Sequence, residues 1–570
     1  MWLVSALCCL SSVLPFSILL NLALVPGAGG FMFVRSSSII LGRTYFHRGA
    51  ASRSSVARQR FLASATCTAG VQEAGGMIPG DAAALIKAVY EAKPTPQVCV
   101  TTTGSGGQAV SWLIGVPGAS SCILEATVPY SMAACQEKMA EGPPAPGYCS
   151  PEAAEALARD AYARAVALCV AGSDEGPHAL SNRYVVGVGC TAAVTSTHPR
   201  RGRHRCFVCA QTRDGLAHYQ LTLSKGRRDR YGEDAAVSRV ILQAISEASG
   251  VPVGSGVKSD HLFLTITGHA HDRAAQDENN SSSGASESED EAEIIPEARL
   301  SPEPDAIEAL MDGRSSAVLV VPRAATRESA VKSGEHHGNG DSERPVVLRD
   351  AVVKGALPRG STIILPGSYN PLHRGHVGLL EAARALYAEK ISSPGEICAG
   401  GGGTGDAAPK KKIAVHAVFE VSMANVDKDG LTVDEVRRRT RQFSDPGGVG
   451  WPYPVVVTRA PLFSQKARLF PGCAFVVGAD TAKRIIDPSY YSNSQVEMVA
   501  ALAEIKHLGC SFIVGGRMGP GGFFITLDDV LHGKGLPESI RCMFHGLDET
   551  SFREDLSSTS IRAGRANAGL

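Results

Sequence analysis

The sequence predicts an α/β protein with two α/β domains, the C-terminal one built on a doubly wound parallel sheet. Three observations lead to this prediction. Short β-branched apolar runs alternate with helical apolar periods between about 350 and 570. Strand, glycine-containing turn and helix follow one another directly near residue 104 and again near residue 367. A length of 570 residues with 44% hydrophobic content is sufficient for two or three folded domains.

The overall charge does not favour two classes of partner. The chain has 56 Lys+Arg and 56 Asp+Glu, so no general basic field favours nucleic acid or a membrane surface for the mature protein. Cys206 and Cys209 have C-x-x-C spacing in an apolar, strand-like run, which favours two buried thiols over a metal or redox pair. His336 and His337 lie in a polar segment that is more typical of a loop than of a metal site.

The first 72 residues are typical of a targeting leader. Residues 1–34 are mostly apolar and uncharged, whereas residues 35–72 contain six arginines and no acidic residue. A signal-like segment followed by a transit-like segment resembles the two-part leaders of plastids bounded by extra membranes. We therefore expect an organellar protein, with a plastid favoured and cytoplasm, nucleus or mitochondrion as alternatives. A membrane anchor or a misassigned start is the competing interpretation.

A first domain is predicted from 77 to 268. A helix is expected at Asp81–Lys93, a strand at Gln97–Thr102, a second helix at Gln108–Ile114 and a second strand at Cys122–Pro129. The glycine-rich turn Thr103-Gly104-Ser105-Gly106-Gly107 joins the first strand to the second helix. Such a turn can bind a nucleotide-like ligand, although glycine loops alone are weak indicators.

This segment resembles the C-terminal domain of the competence/damage-inducible CinA family, whose active members deamidate nicotinamide mononucleotide. The family pattern E-S-C-T-G-G falls on Thr102 to Gly107, and Y-S-N-x-x-K falls on Tyr130 to Cys135. The resemblance thus puts Thr103 at the nucleophile and Cys135 at the activating lysine. Because a thiol does not replace an amine base in that geometry, we expect a catalytically degenerate domain used for binding, assembly or regulation.

Residues 269–349 are predicted to be an acidic, polar linker with a short helix and strand between Ala306 and Val321. The second domain then occupies 350–570. Its most informative stretch is Ser361–Leu386, where the apolar run Thr362–Leu365 precedes the turn His373-Arg374-Gly375-His376 and a helical period. Two imidazoles and a helix N-terminus at one turn predict a phosphate site. With 16 His and 61 Gly in the chain, H-x-G-H is expected by chance roughly 0.05 times, so the pattern is informative.

Three motifs then carry a second resemblance. GSYNPLHRGH (367–376) looks like the H-x-G-H signature of the nucleotidylyltransferase superfamily. Leu556 to Arg562 resembles the I-S-S-T-x-I-R motif of nicotinamide or nicotinate mononucleotide adenylyltransferases, and Phe475 to Asp480 resembles their strand ending in Gly-Ala-Asp. The order of the motifs also matches. The resemblance implies a Rossmann-like domain that transfers the adenylyl group of ATP.

The resemblance also implies roles for individual residues. His373 and His376 would be catalytic, donating to the triphosphate. The ATP-binding residues would be Gly367, Ser368, Tyr369, Gly478, Asp480, Ser558, Thr559 and Arg562. Mg²⁺ would accompany ATP and bridge its phosphates, with no dedicated protein metal site. The competing interpretations are ordinary turn histidines, a capped C-terminal helix with a surface arginine, and a helix-capping Asp480.

The pyridine ring of the second substrate needs a platform. Trp451 and Phe463 flank a predicted strand at Pro454–Thr458 and are candidates, with core aromatics as the alternative. Asp427 follows the predicted strand Ile413–Val421 and would contact substrate, unless it belongs to a simple turn.

The function expected from the sequence is adenylyl transfer from ATP to nicotinamide or nicotinate mononucleotide, giving NAD or deamido-NAD and pyrophosphate. One alternative is cytidylyl or adenylyl transfer to another phosphorylated acceptor, and another is a non-catalytic nucleotide sensor. The amide-or-acid preference, the oligomeric state, with a homo-oligomer among the options, and any remaining ligand binding by the CinA-like domain stay open.

Overall fold

The computed structural model describes residues 78–139, 147–199, 201–251, 298–323, 345–392, 413–423, 430–519 and 522–553, together with Ser558, Ile561 and Arg562. Residues Ala74 to Leu570 form one compact unit, which contains two β-sheets. The predicted leader, the predicted boundary at 268 and the pair His336 and His337 lie outside the described residues.

The first sheet has six strands in the order β2-β1-β3-β4-β5-β6. Its strands are β1 (Pro96–Thr103), β2 (Ile123–Thr127), β3 (Tyr184–Ala193), β4 (His204–Gln211), β5 (Gly215–Leu223) and β6 (Arg299–Pro302). Its helices are α1 (Gly80–Glu91), α2 (Gly107–Gly115), α3 (Met132–Lys138), α4 (Pro151–Ala171) and α5 (Arg230–Ala248). The strand β1 runs parallel to β2 and β3, whereas the remaining pairs are antiparallel. The helices and strands predicted between 81 and 129 are therefore present with small shifts at their ends.

Two glycines of β3 let α4 lie directly on this sheet. A Cβ at Gly187 would be 2.2 Å from the backbone nitrogen of Tyr162, and one at Gly189 would be 2.3 Å from the carbonyl oxygen of Ala154. Since real Cβ atoms do not approach so closely, any side chain at these positions would push the helix away.

The second sheet has eight strands in the order β16-β13-β12-β9-β10-β11-β7-β8. They are β7 (Ala317–Val321), β8 (Val346–Arg349), β9 (Thr362–Gly367), β10 (His416–Ser422), β11 (Val455–Thr458), β12 (Ala474–Gly478), β13 (Ser511–Gly515) and β16 (Phe544–Leu547). The hairpin β14 (Arg517–Met518) and β15 (Phe524–Ile525) stands apart from it. The strands from β9 onward in this sheet are all parallel, and their spatial order is 3-2-1-4-5-6 when they are numbered along the chain.

The expectation of a purely parallel sheet was wrong at one edge. The strand β7 pairs antiparallel with β11, and β8 pairs antiparallel with β7, so the sheet is mixed. Both strands come from the segment predicted to be a linker, and β6 from the same segment joins the first sheet. The apolar run in β7 is fully buried, which explains why it is part of a sheet rather than of a solvated connection.

Helices cover both faces of the parallel strands. They are α6 (Ala306–Met311), α7 (Ala351–Ala356), α8 (Arg374–Ser392), α9 (Val433–Ser444), α10 (Phe463–Leu469), α11 (Ala479–Ile485), α12 (Gln495–His507), α13 (Leu527–Leu531) and α14 (Glu538–Arg541). Alternate strand residues enter two separate cores: Ile363 and Phe419 pack with residues of α8 and α9, whereas Ile364 and Val418 pack with residues of α10 to α12. The same alternation explains why each strand is apolar on both faces.

The C-x-x-C pair lies in β4 and its two thiols face different cores. Cys206 packs in the core beneath α5, whereas Cys209 packs against α4 with Phe207 and Leu216. Burial raises the pKa of Cys209 to about 12. Two thiols on opposite faces of a strand cannot share one metal ion, so the prediction of two buried structural thiols is confirmed. Among the described residues there is neither a cluster of three metal-ligating side chains nor a helix long and apolar enough to span a membrane.

Candidate functional site

The turn after β9 is built around the ring of Tyr369. This residue has φ +45° and its ring is buried, making edge-to-face contacts with Phe419 and Phe443. Its hydroxyl donates to the carbonyl oxygen of Leu365. A Cβ at Gly367 would be 2.4 Å from the Tyr369 ring, so only glycine fits beneath it. The side chain of Tyr369 therefore stabilises the turn from inside.

The two motif histidines lie against each other at the start of α8. Their ring centroids are 3.8 Å apart with the planes tilted by 30°, and His376 also contacts the Tyr369 ring edge-on. The backbone N–H of His373 donates to Nδ1 of His376 at 3.3 Å. This hydrogen bond assigns the His376 proton to Nε2, which is then a donor for an anion. Burial, with a further contribution from the neighbouring His373, lowers the pKa of His376 to about 3, so this imidazole is neutral at pH 7.

The C-terminal motif contacts the same turn. The Ser558 hydroxyl donates to the carbonyl oxygen of Pro371 at 3.0 Å, and Nη1 of Arg562 donates to the carbonyl oxygen of Asn370 at 2.5 Å. The two motifs, separated by almost 200 residues, are thus adjacent at the carboxyl end of β9. Thr559, the remaining member of this motif, lies outside the described residues.

The helix α9 stabilises the turn from the other side. Arg439, which is buried, donates to both the carbonyl oxygen and the hydroxyl of Ser368 at 2.9 Å. Gln442 donates to the carbonyl oxygen of Tyr369 at 3.0 Å and accepts from the backbone N–H of Leu372 at 3.0 Å. Arg438 donates to the side-chain oxygen of Asn370 at 2.9 Å. Each residue of the turn from 368 to 372, apart from Pro371, is therefore held by α9.

These α9 residues were missed by the sequence reasoning. The sequence predicts this helix at Thr432–Phe443, with Thr432 as its N-cap and Glu435 three residues on. In the structure Thr432 does cap it, accepting from the backbone N–H of Glu435 at 3.3 Å. Hydrogen bonds from Arg438 and Arg439 hold the pKa of Glu435 down at about 2. The spacing of Arg438, Arg439 and Gln442 on one helical face was the available signal, since a helix that follows β10 in a parallel sheet lies beside the helix that follows β9.

Gly478 and Asp480 lie where β12 ends and α11 begins. Gly478 has φ −77° and a Cβ there would meet no atom within 4 Å, so the position borders open space. The exposed carboxylate of Asp480 pairs with Arg517, which follows β13 at the same edge of the sheet. Arg517 was not singled out from the sequence, although its place just after a parallel strand was the signal that could have found it.

The three proposed substrate contacts have different placements. Trp451 is half-buried, and its indole N–H, which is shielded from solvent, has no hydrogen-bond partner among the described residues. Phe463 packs edge-on against Phe475 and Phe512 at centroid distances of 5.5 and 5.3 Å. It therefore occupies the aromatic core that the sequence left as its alternative. Asp427 lies outside the described residues.

The first sheet brings together the residues at the CinA-like positions. The Thr103 hydroxyl and the Cys135 thiol each donate to the carbonyl oxygen of Pro129 at 2.9 Å, and they lie 3.4 Å apart. Both side chains are buried. Among the residues described here, the Thr103 hydroxyl contacts a carbonyl oxygen and a thiol, and neither is a base that could accept its proton.

The glycine-rich turn of the first sheet binds a carboxylate of the chain itself. Asp234 Oδ1 accepts from the Ser105 hydroxyl at 2.8 Å and from the backbone N–H groups of Gly106 and Gly107 at 2.7 and 3.1 Å. Its Oδ2 accepts from the backbone N–H of Gln108 at 2.9 Å. The N-terminus of α2, which the sequence suggested as a nucleotide-like site, is thus occupied by an internal anion.

Comparison with known proteins adds a likeness of limited extent. No protein-family model matches the chain, and no curated protein matches it. Solved structures that match include competence/damage inducible protein CihA from Agrobacterium tumefaciens, 16% identical, covering 31% of this chain and 98% of that chain with a TM-score of 0.23. A competence-damaged protein (CinA) superfamily protein from Escherichia coli is 13% identical and covers 29% of this chain and 86% of that chain, also with a TM-score of 0.23. These proteins belong to the superfamily that the residues around Thr103 resemble, but a TM-score of this size carries no argument about fold or activity.

Proposed function

We propose that the chain transfers the adenylyl group of ATP to nicotinamide or nicotinate mononucleotide at the carboxyl edge of the second sheet. The observation that carries this proposal is the contact of Ser558 and Arg562 with the turn that bears His373 and His376. The order 3-2-1-4-5-6 of the parallel strands supports a doubly wound nucleotide-binding domain, whose ligands lie where the strand order reverses. Here the reversal falls between β9 and β12, and these strands end in the two predicted ATP-binding segments.

For this reaction the protein has to position the two substrates and stabilise the negative charge on the phosphates. A phosphate oxygen of the mononucleotide attacks the α-phosphorus of ATP, a new P–O bond forms, and the bond to the β-phosphate oxygen breaks to release pyrophosphate. The imidazole of His376 is neutral at pH 7 and donates its Nε2 N–H to a phosphate oxygen. His373 lies beside it. Arg562 offers a planar set of donors to the leaving pyrophosphate. Gly478 leaves room for the ribose, and Asp480 and Arg517 supply a charged pair beside it.

Mg²⁺ fits this site as a companion of ATP. Glu435, which pairs with two arginines of α9, and Asp480, which pairs with Arg517, are already engaged, so the ion would be held by phosphate oxygens and water. Bound in this way, it would supply further neutralisation of the phosphate charge.

The indole N–H of Trp451 supports a ligand on the α9 side of the turn. The loop that contains it follows α9, and a Cβ at the preceding Gly450 would meet Leu372 of the motif turn at 2.5 Å. We propose that the carbonyl or carboxylate group of the bound pyridine ring supplies the acceptor for this donor. We place Trp451, rather than Phe463, at the pyridine ring.

The CinA-like half would act without catalysis. The pairing of Thr103 with Cys135 and the internal carboxylate of Asp234 both support a binding or assembly role over deamidation. We propose an organelle, with a plastid favoured, as the site of action of the whole chain.

The test is pyrophosphate release by the protein without residues 1–72, the predicted leader. It is given ATP or CTP with Mg²⁺ and, in turn, nicotinamide mononucleotide, nicotinate mononucleotide, phosphopantetheine and phosphocholine. We expect release with ATP and a pyridine mononucleotide. Release with a different pair of substrates would mean that the enzyme acts on another class of acceptor or nucleotide. Tight ATP binding without release from any pair would favour a sensor.

A further inference from the structure

The helix α4 is covered on two opposite sides. One side lies on the first sheet, where Gly187 and Gly189 let it approach β3. The other side contacts α7 of the second sheet: a Cβ at Gly355 would be 3.1 Å from the Cβ of Ala167 and 3.3 Å from the carbonyl oxygen of Ala163. Such a close approach requires small residues on both helices. The helix α4 is therefore an interior element shared by the two sheets.

The C-terminal part of α4 has the composition of an interior helix. Residues 165–170 contain no charged side chain, and each of them is buried or half-buried. A helix on the surface of a separate domain would instead have one polar face toward solvent. This stretch thus needs apolar neighbours on the side that faces away from the first sheet.

One hydrophobic cluster supplies those neighbours and continues from the first sheet into the second. It contains Cys99 of β1, Val185 of β3 and the inward side chains of α4, together with residues of β7, β8 and α7: Ala317, Leu319, Val321, Val346, Leu348, Val353 and Ala356. The same cluster reaches Ile364 of the motif strand β9. Contacts between domains that move independently are usually more polar than this. The apolar continuity indicates a permanent contact.

The first sheet is also completed by a strand from the segment predicted to be a linker. The strand β6 pairs antiparallel with β5, whereas β7, which follows after α6, belongs to the second sheet. Glu303, directly after β6, contacts Arg159 of α4 at 2.9 Å and pairs through its other oxygen with Arg349 of β8. This carboxylate joins both sheets at the point where the chain passes from one to the other.

The first half further contacts elements that lead into the motif strands. A Cβ at Gly176, which has φ +58°, would be 2.1 Å from Nδ1 of His416, the first residue of β10. The helix α7, which packs on α4, is the element that precedes β9 in the chain. Both contacts lie toward the amino ends of the parallel strands, at the edge opposite the motif turn. The first half thus supports the motif strands from below without entering the site.

We propose that the CinA-like half is a permanent structural subunit of the half that forms the second sheet, and that neither half keeps its fold when the two are separated. Separation would expose an apolar side of α4 on one half and the apolar sides of β7, β8 and α7 on the other. The loss of the deamidase pattern at Thr103 and Cys135 leaves these contacts intact. This role does not depend on which reaction the second half catalyses.

The first experiment follows hydrogen exchange by mass spectrometry in the full chain at increasing urea. We expect the amides of β3 and β12 to lose protection at the same urea concentration, because the two sheets unfold as one unit. Gly355→Leu, which places a side chain against Ala167, should increase the opening of both strands by the same factor, about tenfold or more. Gly202→Leu is the control, since a Cβ there would meet no atom within 4 Å. Loss of protection in one strand while the other stays protected would overturn the proposal.

The second experiment cuts the chain between the halves. A protease site is inserted within residues 269–293, in the acidic and polar part of the sequence. After cleavage we expect the two fragments to elute together from a gel-filtration column, even at about 1 M NaCl, because apolar contacts are not screened by salt. Fragments that separate while each keeps its exchange protection would contradict the proposal, whatever the effect of Gly355→Leu.

Pyrophosphate release, assayed on the same samples, keeps this proposal distinct from the proposed reaction. We expect release by the cleaved but associated pair. If the native chain releases none, yet the fragments elute together and the two strands exchange together, the proposed reaction fails and the structural subunit stands. Release by a C-terminal fragment that has separated from the N-terminal one would refute the structural subunit and leave the reaction in place.

Discussion

Arg562 Nη1 lies 2.5 Å from the carbonyl oxygen of Asn370, although the two residues are 192 positions apart in the chain. This contact links the C-terminal motif to the turn between β9 and α8, beside Asn370, Pro371 and the motif histidines. A guanidinium group held by a backbone carbonyl is oriented before any phosphate arrives. Orientation of this kind lowers the entropic cost of binding an oxyanion.

Arg562→Lys tests this arrangement. Lysine keeps the charge but lacks the planar set of donors, so it cannot contact Asn370 and a phosphate together in the same way. We expect kcat/KM for ATP to fall about 10-fold to 100-fold, which corresponds to about 1.5–3 kcal/mol for charge-assisted hydrogen bonds. Arg553→Lys, at an exposed arginine that pairs with Glu549, is the matched control. Equal kinetics in the two variants would argue against Arg562 as a phosphate ligand.

His376→Ala tests the proposed catalytic donor. Loss of a preorganised donor to transition-state charge should reduce kcat by roughly 10²–10³-fold while the affinity for ATP changes much less. His545→Ala is the control, because His545 is likewise half-buried with its pKa lowered to about 4 but contacts Lys390 rather than the motif turn. A rise in KM with kcat unchanged would mean that His376 contributes to binding of the ground state only.

The lowered pKa of His376 also predicts a pH dependence of stability. The unfolded chain binds a proton at the ordinary histidine pKa of 6.5, whereas the folded chain binds it only near 3. The contribution of His376 to the free energy of unfolding therefore rises with pH between about 3 and 6.5, and it is lost on acidification. Near pH 5, His376→Gln should flatten the slope by about 1.4 kcal/mol per pH unit. Urea denaturation between pH 5 and 7 measures it, and an unchanged slope would contradict the burial of a neutral imidazole.

Gly478→Ala separates ligand approach from folding. Its φ of −77° suits alanine and no atom lies within 4 Å of the added Cβ, so the free energy of unfolding should change by less than about 0.5 kcal/mol. If the ribose of ATP passes over this glycine, KM for ATP should nevertheless rise several-fold. Gly367→Ala is the contrasting variant, because its Cβ would overlap the buried Tyr369 ring and should cost about 1–3 kcal/mol. An unchanged KM in Gly478→Ala would mean that the adenosine of ATP does not bind at the end of β12.

Local sequence patterns were sufficient to predict the elements that carry the motifs. The strand β9, the helix α8 and the cap of α9 at Thr432 follow from apolar period and side-chain type, both of which act within a few residues. The family resemblance gave Ser558 and Arg562 a role in binding ATP, but their contact with the turn was not predicted. No pattern near Asn370 shows that residues close to the C-terminus will reach it.

Other features depended on tertiary structure. The strands β7 and β8 look like short apolar islands in a polar segment, and only the open edge at β11 determines that they add to the sheet antiparallel. In the same way, the hydrogen bonds from Arg439 and Gln442 to the motif turn depend on how α9 lies beside α8. Phe463 was equally consistent with a loop platform and with the core, and the neighbouring Phe475 and Phe512 decide its place.

Asp234→Ala tests whether an internal carboxylate occupies the glycine-rich turn of the first sheet. The substitution removes the acceptor for the Ser105 hydroxyl and for the N–H groups of Gly106, Gly107 and Gln108. We expect the free energy of unfolding to fall by about 3 kcal/mol, since several hydrogen bonds to one charged group are lost. Asp229→Ala, which removes the cap that accepts from the Gly232 N–H at 2.7 Å, should cost only about 1 kcal/mol.

The vacated turn should then accept an anion from solution. Inorganic phosphate ought to raise the thermal midpoint of Asp234→Ala but not that of the native chain or of Asp229→Ala, because only the first variant presents free N–H groups at the start of α2. Equal phosphate responses in all three proteins would mean that Asp234 stabilises the turn without occupying an anion site. A selective response would show that Asp234 occupies an anion site at the start of α2, where the chain supplies the anion itself.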